Sequence, residues 1–284
     1  MKYVPVLDKG FRPMYAEFKK YSEEAAKTEN KLLKICVERN DGYNYIYEYK
    51  IFANGHKDEN NLMAERIVKT ILWLVGGYKI YLAGDENVYE FIKAAYTDKG
   101  IRAFDKNFME RVYEKPFEVI MCDEKNFPKE KKCSLSVGGH LDGCRIGFDA
   151  GGSDRKVSAV IDGKVVYSEE VIWFPKINSD PDYHYNEILT ALKTAASKMP
   201  RVDAIGVSSA GVYVNNKIMV ASLFLKVNDE DFEKKVKTMY IDVAKELGEN
   251  IPLEVANDGD VTALAGAIDL NDDSVLGIAM GTSE

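Results

Sequence analysis

Ile146-Gly147-Phe148-Asp149-Ala150-Gly151-Gly152-Ser153-Asp154-Arg155-Lys156 is the stretch from which this chain is read. An apolar run enters an Asp, a small residue, two glycines and a hydroxyl, and an apolar run then resumes. That is the chemistry of a phosphate-gripping β-hairpin. The glycines let backbone N–H groups approach a polyphosphate closely, and Ser153 adds a hydroxyl donor. Asp149 is placed to hold a metal-bound water, which suits Mg²⁺, an ion that takes few carboxylates and keeps several waters. The bland reading is a glycine-rich turn between two core strands with Asp149 merely exposed. D-x-G-G-S followed three residues later by Lys156 is more than a turn requires. Lys156 itself stays open between reaching a phosphate and sitting solvated on a strand.

Working outward, residues 145–150 and 156–161 read as two strands. Asp162-Gly163 is a two-residue hairpin turn into a third strand over 164–173. Asp180-Pro181 opens a helix to about Ser197, Pro being suited to the first helical position. Strands follow at 204–207, and at 212–214 and 217–220 around Asn215-Asn216. A long amphipathic helix is predicted over 229–247, then a strand at 253–256, a helix from Asp258, and a final strand over 274–280. Three antiparallel strands followed by alternating helices and strands predict a ribonuclease-H-like lobe over residues 141–284.

Three further clusters fall at strand ends in that lobe. In Asn257-Asp258-Gly259-Asp260 a polar group precedes a helix of small residues. The bland reading is an N-cap by Asp258 or Asp260, worth about 1 kcal/mol. The functional reading is an ionised Asp that accepts the proton of an attacking hydroxyl. Gly281-Thr282-Ser283 ends the last apolar strand, either as a turn or as a second phosphate clamp. Ser208-Ser209-Ala210-Gly211 ends another strand, either as a tight turn or lining an acceptor site. Open α/β sheets place ligands at the carboxyl ends of their strands. Four such clusters in one lobe are hard to explain as turns.

Before this lobe, a charged stretch over 123–132 reads as a linker, and the boundary is placed near residue 140. Residues 1–140 read as a separate mixed α/β domain. Helices are expected over 14–27 and 61–74, and one from a capping Asp85 to Tyr96. Strands are expected at 32–38, 43–52, 79–83 and 117–121, with Asp41-Gly42 as a hairpin turn. The order loosely matches that of the second half without its glycine loops, which makes a degenerate duplicate an option.

Composition narrows the classes. Residues 1–140 carry 24 Lys+Arg against 22 Asp+Glu, and the remainder 14 against 24, for a net charge of −8. Without a strong basic patch, nucleic acid is not expected as the main partner. An acidic lobe that handles a nucleotide must use backbone amides and a divalent cation. No apolar run approaches the roughly 18 residues of a membrane span, and the start lacks a signal-peptide pattern. A cytoplasmic location without membrane association is expected. The four cysteines and three histidines match no zinc spacing.

These motifs are similar to those of the actin-like ATPase superfamily, and within it the best match is the ROK family of repressors and sugar kinases. Residues 144–284 resemble its first lobe only. The first phosphate motif resembles 149–153, the glycine-bearing acceptor loop 206–211, the N-D-x-N segment 257–260, and the second phosphate motif 281–283. The sequence departs at Asp260, where the family has Asn, at Ser283 and Glu284, which replace Gly and an apolar residue, and in an acceptor loop without its proline.

The resemblance implies an ATP-dependent kinase that transfers a phosphoryl group to a sugar hydroxyl. It implies Asp258 as base and Asp149, Gly151, Gly152, Ser153, Lys156, Gly281, Thr282 and Ser283 on ATP and Mg²⁺. Ser208, Ser209, Gly211, Asn257 and Asp260 would face the sugar. The family's zinc motif and sugar ligands would lie beyond residue 284, so the expectation is a fragment lacking the second lobe, with little turnover alone. A small-molecule sugar is the expected partner and a homodimer the candidate assembly. The alternative is a regulatory or non-catalytic nucleotide- or ligand-binding protein on the same scaffold.

Overall fold

A computed structural model describes residues 5–132 and 139–278. The predicted clamp at Gly281, Thr282 and Ser283 lies outside the described residues. The chain divides into two compact units, Met1–Ser134 and Leu135–Glu284.

The first unit contains α1 (Met14–Ala26), β1 (Asn30–Glu38), β2 (Asn44–Phe52), α2 (Lys57–Val75), β3 (Lys79–Ala83), α3 (Glu86–Ala95), α4 (Ala103–Tyr113) and β4 (Glu118–Met121). Asp41 and Gly42 both take positive φ at the β1–β2 turn, as the hairpin reading requires. The Asp85 side chain accepts from Val88 N at 2.9 Å and caps α3. The sheet order is β2-β1-β3-β4. Leu33, Ile35 and Val37 of β1 are fully buried with Ile80 and Leu82 of β3 and Val68 and Leu72 of α2.

This unit is not a degenerate copy of the second. Here β3 runs antiparallel to β1 and only β3–β4 is parallel. A repeat of the second unit's plan would place a parallel strand beside β1. Helix α4 rests on tertiary contacts: Arg102, which precedes it, pairs with the buried Glu65 of α2, and Trp73 donates to Asp105 at 2.5 Å. Those tertiary partners hold a helix whose apolar positions are too sparse to announce it.

The second unit contains β5 (Cys144–Ala150), β6 (Asp154–Ile161), β7 (Lys164–Ile172), α5 (Pro181–Ala196), β8 (Ala204–Ser209), β9 (Val212–Val214), β10 (Lys217–Val220), α6 (Asp229–Asp231), α7 (Met239–Leu247), β11 (Leu253–Asn257) and α8 (Asp258–Leu270). Its main sheet has the order β11-β8-β5-β6-β7. β5, β6 and β7 are antiparallel neighbours, while β8 and β11 run parallel to β5. That is the strand order and direction of a ribonuclease-H-like lobe. Along β5, burial alternates with period two: Cys144, Ile146, Phe148 and Ala150 face the core. Ile188 and Leu192 of α5 and Tyr240 and Val243 of α7 cover that face.

Two predicted elements differ. The single helix over 229–247 is broken into α6, a π turn over Phe232–Val236, and α7. Lys237 N reaches back five residues to Phe232 O, and the Lys237 carbonyl is taken by Ile218 N of β10 at 2.9 Å. A carbonyl committed to a strand cannot continue the helical ladder. The expected final strand over 274–280 is not formed across its described part, 274–278. That segment lies against α8 instead, where a Cβ on Gly277 would come within 2.4 Å of Ala263 N.

Two outcomes follow from this packing. Leu192→Ala removes a side chain 1% exposed in the second core, and is expected to cost about 2–5 kcal/mol in urea unfolding. Burial pushes the Cys36 thiol up to about 12. Iodoacetamide at pH 8 should therefore leave Cys36 unlabelled in the native protein and alkylate it once urea unfolds the chain.

Candidate functional site

Strand register assembles the site. Asp149 on β5 lies opposite Lys156 on β6 and opposite Ser208 on β8. The turn between β5 and β6 brings Gly151, Gly152 and Ser153 to the carboxyl end of β5. At the carboxyl end of β11, helix α8 starts with Asp258. A cleft of about 720 Å³ is lined by Asp149, Gly151, Gly152, Ser153, Lys156, Ser208 and Asp258. These are seven of the residues singled out from sequence, and they come from three separate segments of chain.

The turn is tightly constrained. A Cβ on Gly151 would sit 2.6 Å from the Asp154 carbonyl oxygen, so only glycine fits without displacing backbone. The Gly151 carbonyl accepts from Trp173 Nε1 at 2.8 Å, and Trp173 N donates to the Ser153 carbonyl at 3.1 Å. Trp173 is 1% exposed. In the sequence it reads as the last residue of the strand over 164–173. Its signal is a lone Trp, whose N–H must find an acceptor when buried.

Lys156 is committed locally. Its ammonium lies 2.5 Å from Asp154 Oδ1 and 3.7 Å from Glu170 Oε1. The hydrogen bond to Asp154 raises the Lys156 pKa, and the same bond lowers that of Asp154. By contrast, the Asp149 carboxylate accepts no hydrogen bond among the described residues.

Asn257, rather than Asp258 or Asp260, caps α8. Its Oδ1 accepts from Gly259 N at 2.8 Å, and its Nδ2 donates to the Gly211 carbonyl at 2.9 Å. Asn257 thus ties the 208–211 loop to the helix that carries Asp258. Asp258 Oδ1 accepts from Gly259 N at 3.0 Å. Ser209 falls on the buried face of β8, with its hydroxyl 3.4 Å from the Ala150 carbonyl. Ser209, Gly211, Asn257 and Asp260 are not among the residues lining the cleft.

The cleft also gathers Asp154, Lys176, Ser222, Leu223 and Thr262, which the sequence did not single out. A buried residue places two of them. His184 is 0% exposed, and its Nε2 lies 3.0 Å from the Pro175 carbonyl and 3.2 Å from the Leu223 carbonyl. It links the turn bearing Lys176 to the turn bearing Leu223. No spacing rule identifies such a residue, because its partners are main-chain atoms from distant loops.

No family model and no curated protein matches the chain. Among solved structures, a ROK family transcriptional regulator, a homologue of the E. coli MLC protein, is 19% identical, with a TM-score of 0.35. The match covers 45% of this chain and 31% of that one. A ROK hexokinase from Thermus thermophilus is 17% identical, with 44% and 38% covered and a TM-score of 0.33. The lobe is similar to part of the ROK fold. This chain spans about a third of the length of those ROK structures. The Aquifex aeolicus PPX-GPPA enzyme is 14% identical, with 86% of this chain and 97% of that one covered and a TM-score of 0.26.

Trp173→Phe keeps the aromatic bulk and removes the donor to Gly151. We expect unfolding stability to fall by about 1–3 kcal/mol, the range for leaving a buried acceptor unmade. Hydrogen–deuterium exchange should speed up across 151–154 and stay unchanged in α5.

Proposed function

We propose that the Leu135–Glu284 unit binds the phosphates of ATP with Mg²⁺ and serves phosphoryl transfer to a sugar hydroxyl. The observation that carries this is the shared cleft, which gathers the glycine turn, Asp149 and Asp258 at the carboxyl ends of parallel strands. The cleft's own charge bears on the choice of ion. Three carboxylates (Asp149, Asp154, Asp258) face two ammonium groups (Lys156, Lys176). A bare polyphosphate would be repelled there, whereas a magnesium complex carries less negative charge.

Asp149 is a single carboxylate that accepts no hydrogen bond among the described residues. That fits an ion held through water better than an all-protein cage. Among the described residues no group of three or more His, Cys, Asp or Glu could hold a metal alone. Asp149 would hold Mg²⁺, and the ion would supply neutralisation of charge on the terminal phosphates.

The chain's own residues supply the rest. The N–H groups of the Gly151–Ser153 turn donate to phosphate oxygens, and the rigid turn needs no reorganisation to do so. Asp258, in the first turn of α8, accepts the hydroxyl proton. Catalysis of this kind rests on positioning and electrostatics more than on covalent chemistry.

A second reading has an observation of its own. Lys156 is held by Asp154 rather than presented to a phosphate. That favours a regulatory or non-catalytic nucleotide-binding protein on the same scaffold.

Calorimetry with MgATP and an ADP-release assay against a sugar panel separate the two. A kinase releases ADP only with a particular sugar, and Asp258→Asn cuts that release about 10²–10⁴-fold while MgATP still binds. Asp149→Ala abolishes the magnesium-dependent part of nucleotide binding. Undiminished transfer by Asp258→Asn would remove it as base. Binding with no sugar-dependent release would leave the regulatory reading.

A further inference from the structure

The first unit carries two adjoining cavities that the cleft chemistry does not use. One is apolar, has a volume of about 310 Å³, and lies among α1, β2 and α2, with Met14, Phe18, Tyr47, Ile67 and Ile71 on its walls. The other is polar, has a volume of about 320 Å³, and is lined by Arg39, Tyr43, Asn44, Lys131 and Lys132. Tyr45 of β2 and Leu74 and Val75 of α2 line both, so the two cavities meet at those residues. No Asp or Glu lines either one.

The polar cavity is positive, and one wall of it is fixed. Asn44 Oδ1 accepts from Lys131 N at 3.1 Å, its Nδ2 donates to the Lys129 carbonyl at 3.0 Å, and its own N–H donates to the Lys131 carbonyl at 3.0 Å. These bonds hold the segment bearing the two lysines beside the start of β2. Arg39 is half-buried, and its guanidinium lies 5.8 Å from the centre of the Tyr43 ring. Neither an ion pair nor a hydrogen bond engages that guanidinium among the described residues. Lys131 makes no ion pair there either. Its ammonium donates to the Asp41 carbonyl at 2.7 Å and lies 5.2 Å from the centre of the Tyr43 ring. Lys132 is paired with Glu130 at 2.8 Å. A half-buried charge without a counter-ion is costly, and here it stands in a cavity that continues into an apolar one. The shared Leu74 is 77% exposed, so the junction is open to a ligand.

We propose that the two cavities form one binding site for a small amphipathic anion of the fatty carboxylate class, with its acyl tail in the apolar cavity and its carboxylate on Arg39. Ligand sites of this size are mostly apolar, with a few charged groups that fix orientation. A guanidinium fork matches a carboxylate with two parallel hydrogen bonds, and the Lys131 ammonium adds a second positive charge. A neutral apolar ligand would leave Arg39 unpaired. A small inorganic anion would leave the apolar cavity to water. A molecule with an anionic head and an apolar tail meets both demands at once.

Calorimetry with octanoate, decanoate, decanol and acetate tests this on the intact chain, with the amphiphiles kept below micelle-forming concentrations. Decanoate is expected to bind at a single site, and more tightly than octanoate by roughly fourfold per added methylene. Decanol, with the same tail and no charge, is expected to bind about tenfold or more weakly than decanoate, and acetate to give no saturable heat. Arg39→Gln brings decanoate down to the level of decanol and leaves decanol unchanged, a split that a merely structural role would not produce. Leu74→Glu lies at an exposed position where folding is not at stake. It sets a carboxylate where the cavities meet and abolishes decanoate binding, while the urea unfolding midpoint stays at the wild-type value. The absence of saturable decanoate binding would overturn the proposal. So would equal affinity for decanoate and decanol, or decanoate binding that both variants leave unchanged.

Discussion

Phe148 and Asp149 are neighbours in the chain and point to opposite faces of one sheet. Phe148 is 2% exposed and belongs to the core under α5 and α7. Asp149 lies on the other face, between Lys156 and Ser208 in register. A slip of one residue in β5 would bury the carboxylate and expose the ring. The apolar face of β5 therefore sets the position of the functional face, and every distance in the cleft depends on that register.

From this strand the rest of the site is built by closure. The glycine turn folds back because Gly151 has no side chain, and the indole of Trp173 holds its carbonyl. Asn257 clips the 208–211 loop to α8 with its two amide ends. His184 joins two loops through main-chain carbonyls. Each device fixes backbone rather than side chain, which is what the proposed binding through N–H groups would need.

The two units show different local economies. The second commits the Asn257 amide to structure and leaves the Asp149 carboxylate without a hydrogen bond among the described residues. The first commits the Asn44 amide to residues 129–131 and leaves the Arg39 guanidinium without one among the described residues. In each, an Asn amide bonded to backbone at both ends accompanies a charged group without a hydrogen bond.

Much of this was legible in the residues. Strong period-two runs located β5, β6 and β8, and Asp-Gly and Asn-Asn pairs located the hairpins, because side-chain alternation and positive φ are local demands. The residues of the glycine turn, together with Asp149, Ser208 and Asp258, were singled out for the same reason: short polar and glycine clusters at strand ends are local signals. What the sequence could not show depended on atoms far apart in the chain. The break in the 229–247 helix needs the Ile218 amide, α4 needs Glu65, and the antiparallel pairing of β3 with β1 is a choice of sheet partner. Of the caps that sequence offers for α8, neither Asp258 nor Asp260 serves, because Asn257 Oδ1 takes the Gly259 amide. The amino-acid order thus determined most of the strands and hairpin turns and which glycine and polar clusters stand at strand ends. Tertiary structure alone decided which carbonyls the helices kept, which Lys was already paired, and that Arg39, among the described residues, meets an aromatic ring and no carboxylate.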